Sequence, residues 1–320
     1  MLLFVSKPCR IKVEKGRVVL RTHDGDVVEL GSATYDSVVV ATRAASITTA
    51  ALQALAARGI DLTVLGPHGM PVARVYPPII NKTAATRVAQ YQAILDGRGL
   101  RAAKSILEAK VRNQASVLRY AARSRRDDYY ALEAENVERV ADDIRRARPD
   151  PLELRELEAH AARIYWGAVA KLLEDSGYGF TGRDPQGLDP FNMALNYGYG
   201  VLYARCERAL LLVGLDPYAG FMHSMKSGQR TLVYDFIEQF RPVVDKALVF
   251  ARPDVSVSNG VMDRESRRRV AQVVMRALEK EVPYLNGKAT VDDVIVRKAS
   301  ELARYLRGEL QEYVGFRARF

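Results

Sequence analysis

The stretch VARVYPPIIN, residues 72–81, divides the chain into two kinds of sequence. Proline lacks a backbone donor, and it pushes the residue before it out of the helical region. Pro77-Pro78 therefore stops the strand expected over 72–76 and marks a boundary. Upstream, short apolar-alternating runs recur at 2–5, 10–13, 18–21, 27–30 and 37–41, with a tight turn at His23-Asp24-Gly25-Asp26. One short helix, 47–57, ends at Gly59, and strands return at 60–65. Downstream the pattern is helical: 81–95, 100–123, 127–146, 152–173, 191–214, 264–281 and 291–313, with a Gly/Pro-rich loop over 176–190. The expectation is an α+β protein of two domains, β-rich over 1–76 and all-helical over 77–320. His23 and His68 lie in Gly-flanked turns and read as solvated turn residues.

The chain has 320 residues, enough for one large or two ordinary domains, and its 48% hydrophobic and 27% charged content is that of a soluble globular protein. Lys and Arg number 48 against 38 Asp and Glu, a net charge of +10, which favours an anionic partner. No apolar run approaches a membrane span, and MLLFVSK is too short for a signal peptide. A cytoplasmic protein meeting nucleic acid, not membrane, is expected. Cys9 and Cys206 fit no metal or redox spacing and read as small buried hydrophobes.

The chemistry concentrates in DPYAGFMHSMKSGQRTLVYDFIEQFRP, residues 216–242. His223 precedes Asp235 by twelve residues and Glu238 by fifteen, with a small basic loop holding Lys226, Gly228 and Arg230 between. Spaced three apart on a helix, the two acids lie on adjoining parts of one face. Two carboxylates and an imidazole suit Mg²⁺ or Mn²⁺ beside phosphates. Glu158 supplies a third acid. At 100° per residue it shares a sector with Leu154, Ala161, Ala162, Tyr165, Val169 and Leu172, whereas His160 points to the opposite side. A carboxylate on an apolar face must be neutralised, paired or metal-bound. A buried salt bridge to an arginine of another helix satisfies that rule as well as a metal does. A non-catalytic basic nucleic-acid-binding protein and a general metal nuclease acting on branched or linear DNA both fit these residues.

Three runs narrow the choice: LEAHAARIYWGAV (157–169), DPFNMALNYGYGVLYARCERALLLVGLDPYAGFMH (189–223) and LVYDFIEQFRPVVD (232–245). Together they resemble the CRISPR spacer-acquisition integrase family, the metal-dependent DNA endonuclease/integrase subunit of the adaptation complex. The resemblance implies an N-terminal β domain joined to a larger helical one. It puts the E-x-x-A-A glutamate on Glu158, the closing histidine of G-L-x-P-x-x-G-x-x-H on His223, and the acids of Y-D-x-x-E/D on Asp235 and Glu238. Ala159 stands where the family commonly has glycine. The implied catalytic residues are Glu158, His223, Glu238 and Asp235; the first three hold Mg²⁺ or Mn²⁺, and Asp235 supports them. The implied reaction joins short DNA fragments to a CRISPR repeat through a DNA 3′-OH, with hydrolysis in vitro when water attacks instead. Arg163, Lys226, Arg230 and Arg241 are candidate DNA contacts. Tyr165 and Tyr197 resemble family positions that orient phosphates or waters. The family further implies a homodimer built through the β domain and a small companion protein bridging two dimers.

Overall fold

The computed structural model describes residues 2–76, 83–223, 227–285, 287–318 and 320. The boundary expected at Pro77-Pro78 and the loop cation Lys226 lie outside the described residues. Strands β2 (Cys9–Glu14) and β3 (Arg17–Thr22) form a hairpin closed by Lys15 and Gly16, both at positive φ, as a two-residue turn between twisted strands requires. With β4 (Val27–Glu29) and β6 (Ala45–Ile47) they make a four-stranded sheet of order β4-β3-β2-β6. A second four-stranded sheet has the order β1-β5-β7-β8, from β1 (Leu2–Val5), β5 (Ser37–Val40), β7 (Asp61–Leu65) and β8 (Pro71–Val75). The pairs β1–β5 and β5–β7 are parallel. β5 reads SVVV and is buried throughout, because both of its faces are covered. Val38 and Val40 join a core with Ile11, Leu20, Leu55 and Leu62, whereas Val39 joins the core of the helices. The helix expected over 47–57 begins at Thr49, since Thr48 Oγ1 accepts from Ala51 N at 3.2 Å and caps it; this is α1 (Thr49–Ala57).

After residue 82 come α2 (Thr83–Leu95), α3 (Arg98–Arg125), α4 (Asp128–Arg146), α5 (Pro151–Leu172) and α6 (Pro190–Leu212). Asp127, Asp150 and Asp189 cap α4, α5 and α6, and the last two precede a proline that begins its helix. α6 is buried on nearly every side and is the axis of the helical part. Then follow α7 (Thr231–Ile237), a 3₁₀ turn over Glu238–Phe240, and α8 (Arg241–Ala251). The turn is forced by Pro242, whose ring would strike the carbonyl of residue 238 in a continuous α-helix.

The expectation that everything past residue 76 is helical is corrected. Two antiparallel ribbons stand among the helices: β9 (Val257–Ser258) with β10 (Val261–Met262), and β11 (Glu281–Tyr284) with β12 (Gly287–Thr290). The first turns through Asn259-Gly260, both at positive φ. α9 (Arg264–Glu279) stops at an extended Lys280. α10 (Val291–Leu306) ends short of residue 313, with Gly308 at φ +77° turning the chain away. Cys9 and Cys206 are buried free thiols, and His23 and His68 are exposed, each as expected. Among the described residues no helix is long and apolar enough to cross a membrane.

The β-rich part docks on α6 by close approach and by charge. A Cβ at Gly200 would collide with the backbone of Gly69, so glycine is required there. Beside that contact, Arg208 pairs with Asp61 at 2.5 Å, Arg205 holds Asp292 of α10, and Arg74 Nη2 meets Glu207 at 3.2 Å.

Candidate metal centre

Glu158 stands on α5 as its helical phase predicts, between the buried Leu154, Ala161 and Tyr165, with its side chain 23% exposed. The open question of its partner is answered by a lysine. Lys110 of α3 extends its ammonium to Glu158 Oε1 and, at 2.6 Å, to Glu238 Oε2. Two carboxylates from separate elements thus converge on one buried cation. Arg241 Nη1 holds the other oxygen of Glu238 at 2.5 Å, and its guanidinium lies 5.0 Å over the Tyr199 ring. Burial pushes the Glu238 carboxyl up, but Arg241 and Lys110 together outweigh burial and hold it below its ordinary value. Burial likewise lowers Lys110, and the two glutamates more than restore it.

His223 is positioned by Asp235. Asp235 Oδ1 accepts from His223 Nδ1 at 2.5 Å and His223 N at 3.2 Å, while Oδ2 accepts from Phe221 N at 2.5 Å and Met222 N at 3.0 Å. One buried carboxylate therefore organises the whole turn before the basic loop. Gly220 makes this possible: a Cβ there would lie 2.7 Å from the Thr231 backbone and 2.9 Å from Asp235 Oδ2. The Asp235 hydrogen bond raises the imidazole pKa, and burial opposes it. With Nδ1 committed to Asp235, Nε2 is the nitrogen left to coordinate, an arrangement common around metal-bound histidines. Its ring is 44% exposed.

Of the other expected residues, Arg241 belongs to this group through Glu238, while Tyr165, Tyr197 and Arg230 are engaged elsewhere. Tyr165 is fully buried and donates to Asp245 at 3.2 Å, behind the centre. Tyr197 packs against the Gly69 turn of the β-rich part, and burial pushes its hydroxyl up to about 12. Arg230 points Nε at Glu207 at 3.0 Å, and Arg241 is engaged by Glu238. Arg163 is exposed on α5. Lys110 is the member of this group that sequence reasoning missed. Its signal was available: it lies with Ala103, Ile106, Leu107, Gln114 and Val117 on the buried stripe of α3, a charge among buried positions just as Glu158 is.

Among the described residues no three His, Cys, Asp or Glu side chains are gathered closely enough to hold a metal as they stand. The donor chemistry nonetheless fits a divalent ion. Two carboxylates share one cation, the imidazole lies within electrostatic reach of both, and the position between the glutamates already carries a positive charge.

The chain is similar to proteins of one known family. The family model described as CRISPR associated protein Cas1 matches residues 2–270. A CRISPR-associated endonuclease Cas1 of Pyrobaculum aerophilum is 38% identical over 274 residues, covering 86% of this chain and 90% of that protein. Among solved structures, a casposase bound to integration product superposes with a TM-score of 0.82 at 23% identity, covering 98% of this chain and 92% of the casposase. A Cas6-RT-Cas1–Cas2 complex gives 0.76 at 17%, covering 100% of this chain and 36% of that one. These two establish a shared fold.

Proposed function

The chain belongs to the Cas1 family of CRISPR-associated proteins, and on that premise we propose that it is a divalent-metal-dependent DNA integrase that inserts short DNA fragments into a CRISPR repeat. The observation that carries this reading is the convergence of Glu158 and Glu238 on one buried cation, next to a histidine aligned by Asp235. Glu158, Glu238 and His223 Nε2 would hold Mg²⁺ or Mn²⁺. The ion would polarise a phosphodiester and lower the pKa of an attacking hydroxyl. Asp235 keeps the imidazole in one tautomer and one orientation. Arg241 neutralises the second oxygen of Glu238, which limits repulsion between the paired carboxylates when phosphate approaches. Lys110 holds the two glutamates together and must yield to a metal, which leaves its ammonium free to meet a phosphate oxygen. The exposed Arg163 and the net positive charge supply phosphate contacts, so binding should weaken steeply with salt.

Attack by a DNA 3′-OH gives strand joining, and attack by water gives hydrolysis; the fold shared with an integration-product complex favours joining. The proposal extends to an N-terminal β domain and a predominantly helical catalytic domain meeting near residue 77. It further includes a homodimer and, by analogy with the complex that contains Cas2, a small companion protein. The test incubates wild type and Glu158→Ala with a supercoiled repeat-bearing plasmid and labelled duplexes, in Mn²⁺ and then in EDTA. Label should join the plasmid only with wild type and metal. Equal joining by both proteins, or joining in EDTA, would sink the proposal.

A further inference from the structure

Residues 313–318 adopt no regular secondary structure and yet are threaded into the helical core: Tyr313, Gly315, Phe316 and Ala318 are buried. Their backbone is satisfied by side chains of α3 and of the 3₁₀ turn. Ser105 Oγ accepts from Gly315 N at 3.0 Å, Gln239 Oε1 from Phe316 N at 2.8 Å, and Asn113 Oδ1 from Ala318 N at 2.8 Å. Asn113 Nδ2 then donates to both the Phe316 and the Gln239 carbonyls, each at 2.9 Å. The Gln239 amide is fully used: Nε2 donates to Phe236 O at 3.0 Å and to the Tyr313 hydroxyl at 3.1 Å, and that hydroxyl reaches Oε1 at 3.2 Å. Phe316 stacks on Phe240 with centroids 5.2 Å apart. Glycine at 315 is needed for the fit, since a Cβ there would lie 2.5 Å from Ser105 O.

The two elements this segment ties together are the two that hold the cation pair. Gln239 directly follows Glu238 in a turn that Pro242 keeps from becoming regular helix, and Asn113 lies one helical turn beyond Lys110. A 3₁₀ turn inside a helical run is a place where orientation is easily lost. Here its rear face is sealed by fully matched hydrogen bonds and a ring stack, while its front face presents Glu238 to Lys110. We infer that residues 313–318 are a positioning strap for the metal centre: by gripping Gln239 and Asn113 they fix the Glu238 carboxylate opposite Glu158. The strap lies beyond residue 270, where the match to the family model ends. The inference rests on the metal reading of Glu158 and Glu238.

Its test measures Mn²⁺ binding calorimetrically to the full-length chain, with melting in EDTA recorded alongside. Phe316→Ala should weaken Mn²⁺ binding about tenfold in protein that is still folded at the assay temperature, the scale expected for outer-shell partners. Phe316→Leu should keep most of the affinity. Val282→Ala, a buried truncation in β11, should lower the melting temperature and leave Mn²⁺ binding unchanged. If Phe316→Ala does not fold, Tyr313→Phe decides alone, since it deletes only the hydroxyl matched to Gln239; weaker binding supports the strap and unchanged binding overturns it. Folded Phe316→Ala with wild-type affinity would overturn the strap and leave the metal centre standing. Wild type without Mn²⁺ binding, or Glu158→Ala binding equally well, would overturn the metal reading and the strap with it.

Discussion

Among the described residues, the charge clusters at α6 and at the candidate centre are built from much the same residue types. One joins the β-rich part to α6 and α10, with Arg74, Arg205 and Arg208 among Asp36, Asp61, Glu207 and Asp292. The other is the candidate centre, with Lys110, Arg241 and His223 among Glu158, Glu238 and Asp235. They differ in the shared cation. In the first, guanidinium forks engage acids from several directions, as Arg205 does on both oxygens of Asp292 with its side chain only 2% exposed. In the second, the shared cation is an ammonium, a compact point charge on a flexible stem, and Glu158 and His223 reach the surface. Composition does not separate a structural ion network from an exchangeable cation site. The choice of lysine over arginine as the shared cation is what sets the proposed cation site apart.

The largest expected effect breaks the comparison at the centre. Glu158→Ala or Glu238→Ala should cut strand joining by at least about a hundredfold, the scale set by removing a group that holds transition-state charge. Glu207→Ala, an acid of the other cluster, should leave joining per folded molecule within a few-fold of wild type. Comparable losses from both clusters would show that the network between the β-rich part and α6 also serves the chemistry.

Next in size is a stability effect with the opposite pattern. Arg208→Ala removes the 2.5 Å partner of the buried Asp61, leaves it the more distant Arg74 at 4.0 Å and Thr63, and should cost about 3 kcal/mol in chemical denaturation. Arg163→Ala, exposed on α5, should cost less than about 0.5 kcal/mol and instead weaken DNA binding at low salt. A small loss for Arg208→Ala would mean that water already solvates the network.

A third prediction concerns the shared cation. Lys110→Met keeps the length of the stem and removes its charge, so the apo protein should be less stable while Mn²⁺ binds more tightly, by about tenfold or one Coulombic unit of 1.4 kcal/mol. Calorimetry in matched buffers reads both. Weaker Mn²⁺ binding would show that Lys110 helps assemble the centre and does not compete for it.

Much of this was legible in the residues and some was not. Glu158 was visible because a charge broke an apolar helical stripe, and Lys110 broke another in the same way. Pro242 announces the interrupted helix, and Asn259-Gly260 carries a turn signal that an all-helical reading passes over. The parallel pairing of β1, β5 and β7 was hidden, since it depends on register between strands far apart in sequence. The strap was hidden for a related reason: its hydrogen bonds go to side chains of α3 and of residue 239, so no local periodicity reports it. Tyr165 is the instructive case. Its phase on α5 is as read, but it faces inward to Asp245.

That buried acid gives the most local prediction. Asp245 on α8 accepts hydrogen bonds from Tyr165 of α5 and Tyr199 of α6, and Arg241 and Lys110 are the cations nearby. Burial pushes its carboxyl up to about 7, against the hydrogen bonds and the cations, which pull it down. Between about pH 4 and pH 7 the folded protein therefore retains a proton that the unfolded chain has released. Stability contributed by that proton is complete below the unfolded value and is lost as pH rises through 7, with a slope of at most about 1.4 kcal/mol per pH unit. Asp245→Asn should flatten that part of the stability profile, measured by denaturation at fixed temperature in EDTA. It should leave the Arg208–Asp61 network unaffected, because the two clusters share no titrating group. If Asp245→Asn and wild type fall in parallel over this range, the slope belongs to other groups. Asp245 would then be ionised in the folded state, held by two tyrosines and the cations of the centre, and the second cluster would extend one layer deeper than Glu158 and Glu238.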